Sequence, residues 1–283
     1  MPDSQSGIFQ NSRGERFEFH AWGTEDGYPI LYMHGAVPMP VSRDLAETAR
    51  EHNVRLTAVL RPGYGASSRL KYKNVLEYAL TLEELIASLG LRRFDVLGLS
   101  AGAPYCYALA AAYPGLVDGV SICAGIPLAN RGEIYRMYAR RDRFMFFLSR
   151  HLPAGLIGRY GVRAVEATER KKGWRDMESG ERMDDVFRQY VWPNWAGFGQ
   201  STRVQYRNWG FPAEAIPNRI SIYHSRADEM IPIEIARASA GLLANGDFFE
   251  YEAEAHASER LLKDAVIAIA LRAAAVPTKT EKA

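Results

Sequence analysis

Short apolar runs alternate with amphipathic stretches along most of the chain. The apolar runs are rich in Val, Ile and Leu and stop at Gly, Pro or Asp turns, as β-strands do. They predict strands over residues 16–22, 29–33, 54–60, 94–97, 117–123, 219–224 and 247–252. Helical spacing of apolar positions predicts helices over residues 41–52, 75–89, 104–112, 233–243 and 258–274. Strands that alternate with helices favour an α/β sheet.

Residues 130–215 interrupt this alternation and show no β pattern. They contain 16 Lys/Arg and 10 Asp/Glu, so the segment carries a net charge of +6 while the remainder carries −4. They also hold 15 of the 32 aromatic residues. Such a change in composition predicts an insertion with its own surface chemistry.

The aromatic residues of this insertion have two interpretations. They either roof an apolar pocket or form the core of the insertion itself. The second interpretation is favoured for most of them, because a segment of 86 residues must bury apolar side chains of its own. Trp192 and Trp195 are kept as candidates for lining a substrate pocket. The full set is Trp174, Trp192, Trp195, Phe198, Tyr206, Trp209 and Phe211.

Five arginines cluster near the start of the insertion. They are Arg131, Arg136, Arg140, Arg141 and Arg143. A solvated helix face is the default interpretation. The more specific interpretation is a surface that attracts anionic substrates or a membrane.

The composition of the whole chain narrows the possible partners. A formal net charge of +2 does not favour nucleic acid, and no run approaches the about 18 apolar residues of a membrane span. The first residues show neither a basic region nor an apolar run, so we expect no signal peptide and a cytoplasmic protein. Cys106 and Cys123 are interpreted as buried reduced thiols, because two cysteines make no disulfide framework and neither has metal-ligand spacing.

Gly98-Leu99-Ser100-Ala101-Gly102 is the strongest candidate for chemistry. The G-x-S-x-G pattern is short, but here a predicted strand precedes it and a predicted helix follows it, as a nucleophile on a sharp strand-to-helix turn requires. Ser100 as a simple helix N-cap is the alternative. An N-cap does not need glycines two residues away on both sides, so we interpret Ser100 as a nucleophile.

A serine hydroxyl needs a base, and the base needs a third group to orient it. His256 follows the last predicted strand and is the candidate base. Asp228 lies after the strand at 219–224 and before a helix, in the chain order Ser, Asp, His expected for this turn. Asp228 as a helix cap is the alternative, and Glu229 is the rival acid.

The oxyanion of such a reaction needs two N–H donors. One is the residue after the nucleophile, Ala101, and the other comes from the loop after an earlier strand. His34-Gly35-Ala36 ends the strand at 29–33, so Ala36 is the second candidate donor. His34 and Gly35 are candidate pocket residues. His34 as a catalytic base is disfavoured relative to a role in shaping the loop.

These motifs resemble the α/β-hydrolase superfamily, in its lid-bearing branch of esterases, lactonases and C–C bond hydrolases. The resemblance rests on His34-Gly35-Ala36, the Arg61–Ser67 loop, Gly98–Gly102, and Asp228 with His256, and it leaves out only residues 130–215. It implies a mostly parallel twisted sheet flanked by helices, with core parts at 1–129 and 216–283. It also implies a helical cap at 130–215, a structural Arg61–Ser67 loop beneath the site, and neither cofactor nor metal. The sequence departs from the pattern at Leu60, where relatives often have Asp, and at Ala255, where Gly is common.

The resemblance implies acyl chemistry on a small molecule such as an ester or lactone. Epoxide hydrolases and haloalkane dehalogenases use a carboxylate at the position of Ser100, since they form an alkyl-ester intermediate. C–C bond hydrolases and aminopeptidases use the same triad. A ligand-binding member of the fold is a further alternative, although a binder needs no complete triad. A homo-oligomer is compatible with the sequence.

Overall fold

The computed structural model describes residues 5–39, 41–171, 183–256 and 258–275. Eight strands form one sheet in the order β1-β2-β4-β3-β5-β6-β7-β8. The pairs β1–β2 and β2–β4 are antiparallel, and all other pairs are parallel. The strands are β1 (Gln5–Gln10), β2 (Arg16–Gly23), β3 (Tyr28–Met33), β4 (Val54–Val59), β5 (Phe94–Leu99), β6 (Val117–Cys123), β7 (Arg219–Ser225) and β8 (Gly246–Tyr251).

Helices cover both faces of this sheet, which confirms the predicted fold class. They are α1 (Arg43–Glu51), α2 (Val75–Thr81), α3 (Glu83–Ser88), α4 (Ala103–Ala112), α5 (Gly132–Met137), α6 (Arg140–His151), α7 (Ala154–Lys171), α8 (Met183–Val186), α9 (Trp195–Gln205), α10 (Ile233–Ala240) and α11 (Glu259–Ala275). A π-helical turn (Phe187–Val191) and a 3₁₀ turn (Trp192–Asn194) connect α8 to α9.

The central strands are apolar on both faces. Leu31 and Val96 pack on the side of α2, α4 and α10, whereas their neighbours Ile30 and Leu97 pack on the side of α1 and α11. A parallel sheet that is covered twice needs this double burial. It explains why the sequence shows continuous apolar runs rather than strict alternation at these strands.

Two elements differ from the sequence-based prediction. The strand β1 was not predicted, because its side chains are mostly exposed and it is held by backbone pairing with β2. The predicted helix over 75–89 consists of α2 and α3, since Leu82, with ψ of 0°, ends the first and precedes the second. Periodicity alone cannot show such a break, because the apolar face continues across it.

The described residues between β6 and β7 form helices α5–α9 and contain no strand. We call residues 124–171 and 183–218 the helical insertion. Trp209 is fully buried and stacks on Tyr107 of α4, with ring centroids 5.7 Å apart. Phe198 is buried in a cluster with Tyr64. Trp174 lies outside the described residues.

None of the helices within the described residues is both long and apolar enough to span a bilayer.

Candidate active site

Ser100 follows β5 directly, in a 3₁₀ turn that leads into α4. Its φ of 49° is a left-handed conformation that costs energy for a residue with a Cβ. A Cβ on Gly102 would lie 2.1 Å from the carbonyl oxygen of Met33, and one on Gly98 would lie 2.7 Å from the Sγ of Cys106. The turn therefore requires both flanking glycines, and it places Ser100 beyond the carboxyl end of β5.

His256 and Asp228 come to the same edge of the sheet from the ends of β8 and β7. The Oγ of Ser100 lies 3.0 Å from the Nε2 of His256. The Nδ1 of His256 lies 2.8 Å from the Oδ2 of Asp228. Since an ionised carboxylate can only accept, Nδ1 carries the proton and Nε2 is the acceptor for the Ser100 hydroxyl. The structure thus brings together the three residues singled out from the sequence.

The loop after β7 keeps Asp228 ionised. Its Oδ1 accepts hydrogen bonds from the N–H groups of Met230 and Ile231, at 2.8 and 3.0 Å. Burial alone would raise the pKa of Asp228, but the hydrogen bond and charge of His256, with these two N–H groups, lower it. Glu229 is exposed, and the carboxylate that contacts His256 is that of Asp228.

His224, at the end of β7, supports the same loop. It is fully buried, and its Nε2–H donates to the carbonyl oxygen of Ile231 at 2.9 Å. The same nitrogen lies 3.6 Å from the Oδ2 of Asp228. Burial lowers the pKa of His224, and the nearby His256 adds to this effect. A neutral imidazole ring therefore packs behind the Asp228 carboxylate and does not form an ion pair with it.

The loop after β3 lies beside Ser100. A Cβ on Gly35 would lie 3.7 Å from the Cβ of Ser100. The Nδ1–H of His34 donates to the carbonyl oxygen of Gly35 at 2.8 Å, while its Nε2 accepts from the N–H of Arg61 at 3.1 Å. Burial, followed by the charge of Arg61, holds the pKa of His34 well below its usual value. Both ring nitrogens are engaged in fixing the loop, and neither contacts Ser100.

Arg61 is a fully buried cation beneath this loop. Its guanidinium donates to the carbonyl oxygens of His34 and Gly35, and its Nε–H donates to the Oγ of Ser201 on α9 at 3.1 Å. It also lies 4.7 Å from the ring centroid of Tyr105, a cation–π contact. Sequence reasoning placed Arg61 in a supporting loop but missed Ser201, because nothing in the sequence pairs residues 140 positions apart.

The chain is similar in sequence and fold to known proteins. The model of the alpha/beta hydrolase family matches residues 30–266, which is most of the chain. The chain belongs to the alpha/beta hydrolase family. This membership identifies the protein as a hydrolase and confirms the resemblance to the α/β-hydrolase superfamily. No curated protein sequence matches the chain at a significant level.

Solved structures share the alpha/beta hydrolase fold over nearly the whole chain. An alpha/beta hydrolase fold protein from Nakamurella multipartita is 22% identical with a TM-score of 0.63, covering 95% of this chain and 100% of that one. A thermophilic esterase from Thermogutta terrifontis is 18% identical with a TM-score of 0.60, covering 95% and 97%. An epoxide hydrolase from Vigna radiata is 14% identical with a TM-score of 0.71, covering 97% and 98%. Identities this low show the fold alone.

The helical insertion of this alpha/beta hydrolase contacts the loops around Ser100. The Nε2–H of Gln205 donates to the carbonyl oxygen of Ala101 at 3.3 Å. Trp192 packs against the apolar cluster that also contacts Ala36. Trp195 is 41% exposed, and its carbonyl oxygen faces Gly158 of α7. Of the two tryptophans predicted near the pocket, Trp192 packs against the cluster that contains Val37 of the loop after β3.

The described part of the chain has no cluster of metal-binding side chains, and both cysteines are buried. No group of three His, Cys, Asp or Glu side chains within the described ranges is placed to hold a metal ion. Cys106 and Cys123 are both free and buried, and burial raises the pKa of both thiols.

Proposed function

We propose that this alpha/beta hydrolase cleaves small esters or lactones through a covalent acyl-enzyme on Ser100. The observation that carries the proposal is the continuous hydrogen-bonded line from Ser100 to His256 to Asp228. A serine becomes a useful nucleophile when a base accepts its proton and a carboxylate stabilises the resulting imidazolium. Serine at the turn, rather than a carboxylate, favours acyl over alkyl chemistry.

In the proposed mechanism the proton of the Ser100 hydroxyl moves to the Nε2 of His256 as Oγ attacks the carbonyl carbon. The tetrahedral oxyanion accepts hydrogen bonds from the N–H groups of Ala36 and Ala101. Collapse of this intermediate expels the alcohol, which takes its proton from His256. Water then attacks the acyl-enzyme with His256 as base, which releases the acid and restores Ser100.

We further infer that the helical insertion acts as a cap over this site. Gln205 of α9 donates to the carbonyl oxygen of Ala101 directly. Ser201 of α9 accepts from Arg61, which in turn donates to the loop of Ala36 at the carbonyl oxygens of His34 and Gly35. Trp192 lies next to the apolar cluster beside Ala36. A cap in this position would shield the acyl-enzyme and shape the pocket for a small substrate.

A panel of short-chain p-nitrophenyl esters, lactones, aryl amides and β-diketones tests the proposal. We expect turnover of esters or lactones that falls by about 10⁴-fold or more in Ser100→Ala. Ser88→Ala, a serine on α3 far from the triad, is the matched control and should retain full activity. Undiminished ester turnover in Ser100→Ala would refute the nucleophile. Ser100-dependent cleavage of β-diketones alone would reassign the reaction to C–C bonds.

A further inference from the structure

Large apolar side chains are exposed on one part of the helical insertion. Thirteen such side chains are exposed among the described residues, and seven of them lie within residues 137–160. They are Met137, Phe144, Met145, Phe147, Leu152, Leu156 and Tyr160. Helix α6 has no buried residue at all. Exposed apolar side chains that are concentrated in this way indicate a surface for contact with a partner.

The attachment of α6 to the rest of the protein explains which of its sides is free. Phe146 stacks on Tyr206 with ring centroids 4.2 Å apart, which anchors the inner side of the helix. Phe144 and Phe147 are 61% and 51% exposed. Since α6 has one aromatic anchor, most of its apolar surface faces solvent.

Helix α7 continues this free surface. It packs closely on α9, because a Cβ on Gly158 would lie 1.8 Å from the carbonyl oxygen of Trp195. Leu156 and Tyr160, one turn apart, lie on the side of α7 opposite to Gly158. Leu152, also exposed, connects the two helices. The exposed apolar side chains of α6 and α7 therefore follow one another along the chain, from Phe144 to Tyr160.

The same stretch is strongly basic. Residues 136–163 contain seven arginines and one aspartate. The arginines are Arg136, Arg140, Arg141, Arg143, Arg150, Arg159 and Arg163. None of the seven forms an ion pair with a carboxylate of the described residues, whereas the nearby Arg131 pairs with Glu214 at 2.5 Å. We call the seven apolar side chains and these seven arginines the basic apolar face.

A cationic cleft adjoins this face at the connection between α6 and α7. The cleft has a volume of about 650 Å³, and Pro153 and Ala154 form part of its wall. Its other lining residues include Arg69, Lys71, Lys73, Arg203 and Arg207. Burial lowers the pKa of Arg207, and the charges of Arg203 and Arg150 lower it further. Glu77 also lines the cleft and pairs with Lys73 at 3.8 Å, whereas the other four cations pair with no carboxylate of the described residues. This excess of positive charge favours an anionic partner.

We propose that the basic apolar face binds the surface of an anionic lipid bilayer. Aromatic and aliphatic side chains on a helical surface insert at the boundary between headgroups and acyl chains. Arginines beside them reach headgroup phosphates, and each adds to the attraction of an anionic leaflet. The face offers both components on consecutive helices. This inference does not depend on the reaction at Ser100.

Charge argues against a second copy of the chain as the occupant. A two-fold dimer through this face would bring the arginines of one protomer against those of its partner, and like charges at short range repel. An acidic protein surface would pair with the arginines but would not by itself bury the exposed Phe, Met and Leu side chains. An anionic bilayer provides both negative charge for the arginines and an apolar interior for these side chains.

Cosedimentation of the full chain with sucrose-loaded vesicles tests the proposal. Vesicles of phosphatidylcholine are compared with vesicles that contain about one third phosphatidylglycerol, each at ~0.1 M and ~0.5 M salt. We expect strong binding to the anionic vesicles at low salt, weaker binding at high salt, and little binding to phosphatidylcholine alone. Equal binding to both vesicles, or no binding to either, would overturn the proposal.

Two double variants and two matched controls locate the surface. Arg140→Gln/Arg141→Gln and Phe144→Ser/Phe147→Ser should each lower binding to anionic vesicles by about tenfold or more. The controls Arg43→Gln/Arg92→Gln and Leu80→Ser/Leu271→Ser change exposed side chains elsewhere and should bind like the wild type. Unchanged binding in both face variants, or equal losses in the controls, would contradict the assignment. A dimer that Phe144→Ser/Phe147→Ser disperses, with no vesicle binding, would assign the face to a second copy instead.

Discussion

Asp228 accepts hydrogen bonds on both carboxylate oxygens, from two backbone N–H groups on one and from His256 on the other. In this position an ionised carboxylate fixes the Nδ1–H tautomer of His256, which leaves Nε2 to accept the proton of Ser100. The lowered pKa of Asp228 keeps that charge in place. We therefore expect the proposed reaction to depend on the charge of Asp228 as well as on its shape.

Asp228→Asn tests this dependence. The amide keeps the size of the side chain but has no charge and can hold His256 in the wrong tautomer, so kcat should fall by about 10⁴-fold. Steady-state kinetics on the best ester of the panel measures the effect. Glu229→Gln, at the exposed neighbour, is the matched control and should remain close to the wild type. A nearly normal Asp228→Asn enzyme beside an inactive Glu229→Gln enzyme would move the acid to Glu229.

The candidate residues of the site can be predicted from the sequence because each one follows the end of a predicted strand. Ser100, Asp228 and His256 each follow an apolar run, and the carboxyl ends of neighbouring parallel strands meet at one edge of a sheet. The supporting contacts of His224 and Arg61 cannot be predicted in this way. They depend on the packing of loops and of α9, which no local pattern encodes.

At the scale of elements, α9 joins the insertion to the loops around Ser100. Ser201 receives a hydrogen bond from Arg61, and Gln205 donates to the carbonyl oxygen of Ala101. Arg61 in turn holds the carbonyl oxygens of His34 and Gly35. One helix and one buried cation thus set the position of both loops that carry the proposed oxyanion donors.

Arg61→Lys should therefore impair the chemical step more than substrate binding. A lysine keeps the charge but has no planar fork to reach three acceptors at once, so the loop loses its fixed position. Because loss of one oxyanion donor costs about 10²–10³ in kcat, we expect kcat to fall by about tenfold or more, with a smaller change in KM. Ser201→Ala, which removes only the contact with α9, should have a weaker effect. A lower melting temperature with unchanged kcat would show that Arg61 serves stability alone.

At the scale of the whole molecule, a buried ionic network ties α11 to the sheet at the end remote from Ser100. Asp95 at the start of β5 is fully buried and pairs with Arg272 of α11. Tyr28 of β3 donates to the same carboxylate at 2.7 Å. Burial raises the pKa of Asp95, and Arg272 and Tyr28 oppose that effect. The pair is costly to break, because a buried carboxylate without its cation is poorly solvated.

Arg272→Met should lower the free energy of unfolding by about 3–5 kcal/mol, since it leaves Asp95 buried without a cation. Urea unfolding followed by circular dichroism measures the change. Arg260→Met removes another arginine of α11, but its side chain is 67% exposed, so the loss there should stay below about 1 kcal/mol. Equal losses in the two variants would show that the Asp95 pair has no special weight.

The sheet can be predicted from the sequence in more detail than the insertion. The sheet was predictable because its central strands are buried on both faces. The edge strand β1 was missed because its side chains are mostly exposed. Composition marked residues 130–215 as distinct in charge and aromatic content. It did not show that α6 has no buried residue, since the same apolar count fits either a core or a surface.

Mass spectrometry of the intact protein after treatment with a fluorophosphonate tests the central claim about Ser100 most directly. The account predicts one covalent adduct on the wild type and on Ser88→Ala, mapped by digestion to the peptide that contains Ser100. It predicts no adduct on Ser100→Ala. An adduct that persists in Ser100→Ala, or one that maps to another residue of the wild type, would contradict the account.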